Sequence, residues 1–137
     1  MDIWHIENNP WSSIRLWRND NDNFQVTETG RFASLLTNPN YILIDKKYSS
    51  LISGLPEQLS FHKVKVADLV LKTENDNYIE LNIKNTITPQ NIQAKNSKGL
   101  KIWSFDGEVF VSGEFKNELL KIGQDDFTFS SGFQFFG

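Results

Sequence analysis

One arrangement occurs twice in this chain, and that repeat constrains the fold more than any other feature. Residues 41–61, YILIDKKYSSLISGLPEQLSF, and residues 109–129, VFVSGEFKNELLKIGQDDFTF, share one order. Each reads as a short apolar strand, a capping residue, an amphipathic helix, a turn and a second strand. Asp45 and Ser112 stand 67 positions apart, each directly after an apolar run. Both side chains accept hydrogen bonds from the unpaired amides of a helix start. After Asp45, Tyr48, Leu51, Ile52 and Leu55 keep the i, i+3, i+4, i+7 spacing of a one-faced helix. After Ser112, Phe115, Leu119 and Ile122 fall at i, i+4 and i+7. Gly54 and Gly123 lie where helices end. Leu59 and Phe61 then match Phe127 and Phe129. A strand that feeds a helix and returns as a strand is a compact βαβ-like unit. Spacing alone leaves open whether its strands run parallel. It also leaves open whether the copies are a duplication or convergent punctuation.

The rest of the chain is mostly strand and turn. Residues 2–6 have strand-like composition, and residues 7–11, ENNPW, break the run. Residues 13–18 fit a strand's period of two or a short helical turn, and 24–26 fit a short strand. The loop 19–23, NDNDN, lacks the Gly and the acid that a calcium loop needs at its sixth and twelfth positions. RFASLL at 31–36 reads as a brief helix stopped before Pro39. A hairpin is expected over 69–83, with its turn in TENDN at 73–77 and a clean alternation in YIELNI at 78–83. Residues 88–99 read as a polar loop with a helical turn after Pro89. LKIWSF at 100–105 alternates, and Asp106-Gly107 is a strong short hairpin signal. Two aromatic strand pieces are expected around Ser130-Ser131-Gly132. The expected fold is α+β: one domain over 1–137, with a mostly antiparallel or mixed sheet and two or three short helices packed on it.

Composition narrows the chemistry. The 137 residues include eleven Phe and four Trp, enough for a packed core. With no Cys, disulfides, thiolate metal sites and thiol nucleophiles are excluded. His5 and His62 have no motif context and leave little material for a metal centre. No Gly-x-Ser-x-Gly elbow surrounds Ser130-Ser131-Gly132, and no Gly-rich phosphate loop precedes a helix. No catalytic residue, cofactor or metal is therefore assigned. The start of the chain lacks a basic patch followed by an apolar run, and no stretch has the length of a membrane span. A soluble cytoplasmic protein is expected. The net charge of −3 is unevenly placed. Residues 84–101 carry four lysines and no acid, whereas 102–137 carry six acids against two lysines. Both stretches read first as solvated surface, Asp125-Asp126 as a linker from helix to strand, and the tryptophans as mostly core.

The run from Ile102 to Phe129, IWSFDGEVFVSGEFKNELLKIGQDDFTF, resembles the closing segment of bacterial immunity proteins of polymorphic-toxin and contact-dependent inhibition systems. Those proteins show a hairpin, an apolar strand ending in Val-Ser, a capped helix and a Phe-rich strand. The upstream order ILIDKKYSSLI, LSFHKVKV and YIELNI is similar too, so the likeness covers roughly 41–135. The resemblance implies a cytoplasmic, non-catalytic protein that binds a cognate toxin domain, such as a nuclease, and neutralises it stoichiometrically. For a basic toxin, an acidic face would speed association. Glu114, Glu118, Asp125 and Asp126 are the residues expected to form it. Two other readings stand beside this one. One is a small hydrolase or ligand-binding domain using a cleft near His62 or Ser130-Ser131-Gly132. The other is a nucleic-acid-binding module using 84–101 and the adjacent Trp103.

Overall fold

A computed structural model describes residues 2–133 of the protein. Its strands are β1 (Ile3–Asn8), β2 (Arg15–Arg18), β3 (Asn23–Glu28), β4 (Leu35–Asn38), β5 (Tyr41–Asp45), β6 (Leu59–Asp68), β7 (Thr73–Ile83), β8 (Ile102–Phe105), β9 (Glu108–Ser112) and β10 (Phe127–Ser131). The α-helices are α1 (Ser49–Ser53), preceded by a 3-10 turn at Lys46–Tyr48, and α2 (Gly113–Ile122). Two sheets form, in the orders β10-β1-β9-β8 and β2-β3-β6-β7-β5-β4. Strand pairs are antiparallel except β3 with β6. The fold is thus broadly α+β in kind but dominated by mixed and antiparallel sheet.

Both copies of the repeat adopt one topology. In the first, β5 and β6 flank β7 and run antiparallel to it. In the second, β9 and β10 flank β1 in the same way. The outer strands of each unit are therefore parallel to each other, with an antiparallel strand between them. Register confirms the match. The cap Asp45 lies opposite Tyr78 and the cap Ser112 opposite Ile3. Leu59 lies opposite Ile83 and Phe127 opposite Asn8. The hairpins agree as well, Leu36 facing Leu43 where Trp103 faces Phe110. The units differ in where the central strand comes from. β7 directly follows β6, whereas β1 precedes its unit in the chain, so the second unit is a circular permutation of the first.

The caps act as their residue types suggest. Asp45 accepts from the Lys47 amide at 2.9 Å, and Ser112 Oγ accepts from the Phe115 amide at 3.4 Å. Tyr48 and Ile52 on one helix, and Phe115 and Leu119 on the other, are buried in a single core. Ile42, Ile44, Leu59 and Leu81 join it from the large sheet, and Ile6, Val109, Val111 and Phe127 from the small one. Each such side chain contributes roughly 1.5–3 kcal/mol when fully buried. The outer faces carry smaller cores. Leu16 and Phe24 close the one over Leu43, and Ile87 and Ile92 close the one over Phe110 and Trp103.

Side-chain amides join the units reciprocally. Asn8 Oδ1 accepts from the Leu35 amide at 3.0 Å, and its Nδ2 donates to the Leu35 carbonyl. Gln58 Oε1 accepts from the Ile102 amide at 3.0 Å, and its Nε2 donates to the Leu100 carbonyl at 2.7 Å. Leu35 and Ile102 occupy the same position in the two hairpins, so each unit clamps the edge strand of the other.

Two expectations are corrected. RFASLL does not form a helix: residues 31–34 are irregular and Leu35–Asn38 is strand. Leu35 enters the shared core and Leu36 the outer one, so both faces are buried and no polar alternation marks the strand. The β6–β7 hairpin, expected to turn at 73–77, turns at 69–72 instead. Asp68, itself buried, accepts from the amides of Val70 and Leu71, and Lys72 adopts φ 57° to complete the turn. Thr73, Glu74 and Asn75 instead pair with Asp68, Ala67 and Val66. At the C-terminal end, Ser130 and Ser131 lie in β10, Gly132 (φ 53°) bends away, and the second aromatic piece falls mostly outside the described residues.

Asp106 and Gly107, at φ 50° and 80°, make the tight β8–β9 turn. A Cβ at Gly107 would collide with the Asn38 carbonyl oxygen of the other hairpin turn. Gly107→Ala is expected to cost roughly 2 kcal/mol or more. The midpoint of urea unfolding should fall accordingly, with the slope unchanged.

Candidate functional site

The central strand of each unit buries an ionisable side chain at the same register: Glu80 in β7 and His5 in β1. Glu80 sits opposite His62. Arg18 reaches it from β2 with a bidentate contact, Nη1 to Oε1 at 2.9 Å and Nη2 to Oε2. Hydrogen bonding to Glu80 raises the Arg18 pKa above its ordinary value. The same guanidinium lies 4.6 Å from the Phe24 ring centre. His62 Nε2 lies 2.8 Å from the Asn21 carbonyl, 3.3 Å from Glu80 and 3.8 Å from Asp22. This network ties the 19–23 loop to the large sheet, and it borders a polar cleft of about 450 Å³. In the second unit, His5 is fully buried with Nε2 2.8 Å from Glu108 Oε2. The buried Glu80 carboxylate is thus paired, as a buried charge requires.

A larger cavity, about 880 Å³, opens between α1 and the exposed side of β6. Ser49, Ser50 and Ser53 form its helical wall, and Phe61, Lys63 and Lys65 its strand wall. β3 pairs with β6 only from Lys65 to Ala67, which leaves this side of β6 open from Leu59 to Val64 among the described residues. A third surface feature is the β6–β7 tip. Leu69, Val70 and Leu71 are 66, 85 and 67% exposed, while Asp68 beneath them is buried. Trp17, 65% exposed, lies in a cross-strand row with Gln25 and Ala67, on the second strand over from β6 and at a level two residues before the tip.

The four acids singled out from the sequence have different fates. Glu114 is exposed on α2 and accepts from the Gly99 amide at 3.2 Å, so the basic segment folds back beside the acidic helix. Glu118 pairs with Lys121 at 2.9 Å, and Asp125 is exposed. Asp126 turns inward, accepting from the Tyr48 hydroxyl at 2.5 Å and from Lys47 Nζ at 2.6 Å. Of the tryptophans, Trp103 is buried and Trp4 half-buried, whereas Trp11 and Trp17 are exposed. His62 borders both cavities, while Ser130 and Ser131 are strand residues and line neither. The Arg18–Glu80 contact and the apolar tip escaped sequence reasoning. Leu69–Leu71 looked like strand, and no local pattern ties Arg18 to a residue 62 positions away.

No family model, curated protein or solved structure gives a significant match to this chain. No helix among the described residues is long and apolar enough to cross a membrane, and no group of metal-ligating side chains occurs among them.

Burial by itself would raise the Asp126 pKa, but hydrogen bonds from Lys47, Tyr48 and Ser34 outweigh it and hold the carboxyl below its usual range. A lowered folded-state pKa adds stability above the unfolded-state value, near 3.9, and loses it as pH falls through the folded-state value. Asp126→Asn should therefore cost about 1–2 kcal/mol at pH 7. It should also flatten the loss of stability below about pH 4, both readable from urea titrations across pH.

Proposed function

We propose that this chain is an immunity protein, a cytoplasmic inhibitor that binds a cognate toxin domain stoichiometrically and carries out no catalysis itself. The observation that carries the reading is the Leu69–Leu71 tip. Three consecutive apolar side chains face solvent at the end of a long hairpin whose turn is fixed by the buried Asp68. Ordering such a tip in advance lowers the entropy cost of docking. Its convex shape fits a concave apolar surface, and enzyme active sites are concave and largely apolar. The toxin's active-site cleft is thus the partner surface, and insertion of the tip excludes its substrate. The exposed Trp17, on the same end of the large sheet, extends the contact, since aromatic residues are enriched in interface cores.

The acidic residues have a separate role in this reading. Glu114, Glu118 and Asp125 steer a basic toxin without forming the central contact. Asp126 drops out of that face because Lys47 and Tyr48 hold it inside the molecule.

The test is co-expression with the toxin domain encoded beside this chain, followed by size-exclusion chromatography and a toxicity assay. A one-to-one complex and survival of the host are expected. Replacing Leu69, Val70 and Leu71 together by Ser should weaken binding by about 100-fold or more without changing the melting temperature. Glu114→Lys with Glu118→Lys should slow association by about tenfold at low salt and leave dissociation unchanged. Absence of a complex with both proteins folded would overturn the proposal.

A further inference from the structure

The cavity between α1 and β6 owes its existence to a difference between the two units. Matching the caps Asp45 and Ser112 aligns α1 with α2, and the buried Tyr48 and Ile52 then fall on Phe115 and Leu119. On the facing side, Ser49 corresponds to Lys116, Ser50 to Asn117 and Ser53 to Leu120. Strand register makes Ile79 the counterpart of Trp4, and Phe61 that of Phe129. In the second unit the space is filled from within: the Lys116 ammonium stands 3.7 Å above the Trp4 ring and 5.4 Å from the Phe129 ring. In the first unit three short serines and an isoleucine replace those large groups. The result is the 880 Å³ cavity, with Phe61 left 40% exposed in its wall.

What lines the cavity indicates what fills it. Lys46, Lys63 and Lys65 converge on it in a chain whose net charge is −3. Lys46 and Lys63 have no ion-pair partner among the described residues, and Lys65 lies 4.0 Å from Glu74. Two carboxylates also line the space: Asp22 faces His62 at 3.8 Å, and Asp76 stands without an ion pair among the described residues, so the lysines outnumber the acids three to two. The serine hydroxyls add neutral donors. An anionic group placed among Lys46, Lys63 and the serines would meet ammonium and hydroxyl donors together. The exposed Phe61 offers a face on which a flat ring can stack. The volume lies within the roughly 300–1,000 Å³ of small-ligand clefts.

We infer that the α1–β6 cavity binds a small phosphorylated ring compound of the nucleoside-monophosphate class, with the ring on Phe61 and the phosphate among Lys46, Lys63 and Lys65. The site is distinct from the Leu69–Leu71 tip, so its loss would leave toxin binding through that tip unaltered.

Titration of the full chain with adenosine monophosphate, followed by amide chemical shifts, tests the inference. Saturation below about 1 mM is expected, with shifts concentrated at 46–53 and 61–65. Adenosine, which lacks the charge, and inorganic phosphate, which lacks the ring, should each bind at least about tenfold more weakly. Ser53→Leu restores the bulk that Leu120 supplies in the other unit and should abolish saturation. Because Ser53 is exposed, that variant should keep its fold. Lys63→Gln should weaken binding about tenfold. The inference is overturned if adenosine monophosphate fails to saturate by about 10 mM, or if inorganic phosphate binds equally well. It also fails if both folded variants bind like the parent.

Discussion

The structure depends on a core that neither unit can complete alone. Each unit presents one sheet face and one short helix, and these faces meet so that Tyr48, Ile52, Phe115 and Leu119 share a single interior. A five-residue helix has little stability of its own in water, because nucleation is costly and few bonds follow it. α1 therefore persists through the burial of Tyr48 and Ile52 and through the Asp45 cap that starts its turn. The Tyr48 hydroxyl then meets Asp126 in the opposite unit, just beyond the end of α2. A Cβ at Gly123 would strike that hydroxyl, so the close approach requires a residue without one. The reciprocal amide clamps of Asn8 and Gln58 complete the join at the edge strands.

Equivalence of the units also explains where they differ. The central strands carry Glu80 and His5 at one register position, yet each meets a different partner from its own surroundings. The outer faces are closed differently, by β2 and β3 on one side and by the segment containing Ile87 and Ile92 on the other. The first unit has small residues on its helix and an open strand side, and so carries the cavity. It also carries the long hairpin that ends in the apolar tip. The second unit has Lys116, Leu120 and Trp4 in the corresponding places and is closed. The open cavity and the exposed apolar tip thus both lie on the first unit, although the acidic charge and the resemblance read from the sequence drew attention to the second.

The sequence made the local rules visible and concealed the distant ones. Asp45 and Ser112 as caps, Gly54 and Gly123 as helix ends and Asp106-Gly107 as a turn were legible because each acts on neighbours within a few residues. The alternation in YIELNI was legible because only one of its faces is fully apolar. Leu35-Leu36 failed that test, since both faces of the strand are covered. The 69–72 turn was hidden because its residues are apolar and Asp68 supplies the turn chemistry from outside them. Long-range pairs such as Arg18 with Glu80 leave no periodic trace. The permutation was equally hidden, since the strand that completes the second repeat stands at the far end of the sequence from it.

Native-state hydrogen exchange of the amides in β1 and β7 tests the shared core most directly. If the two central strands belong to one cooperative interior, their slowest amides exchange only through global unfolding, with the same free energy and the same dependence on denaturant. Slow amides of β5 and β9 should join them. If β1 instead exchanges at a markedly lower free energy than β7, with a smaller denaturant slope, the units unfold separately and the account of a common core is contradicted.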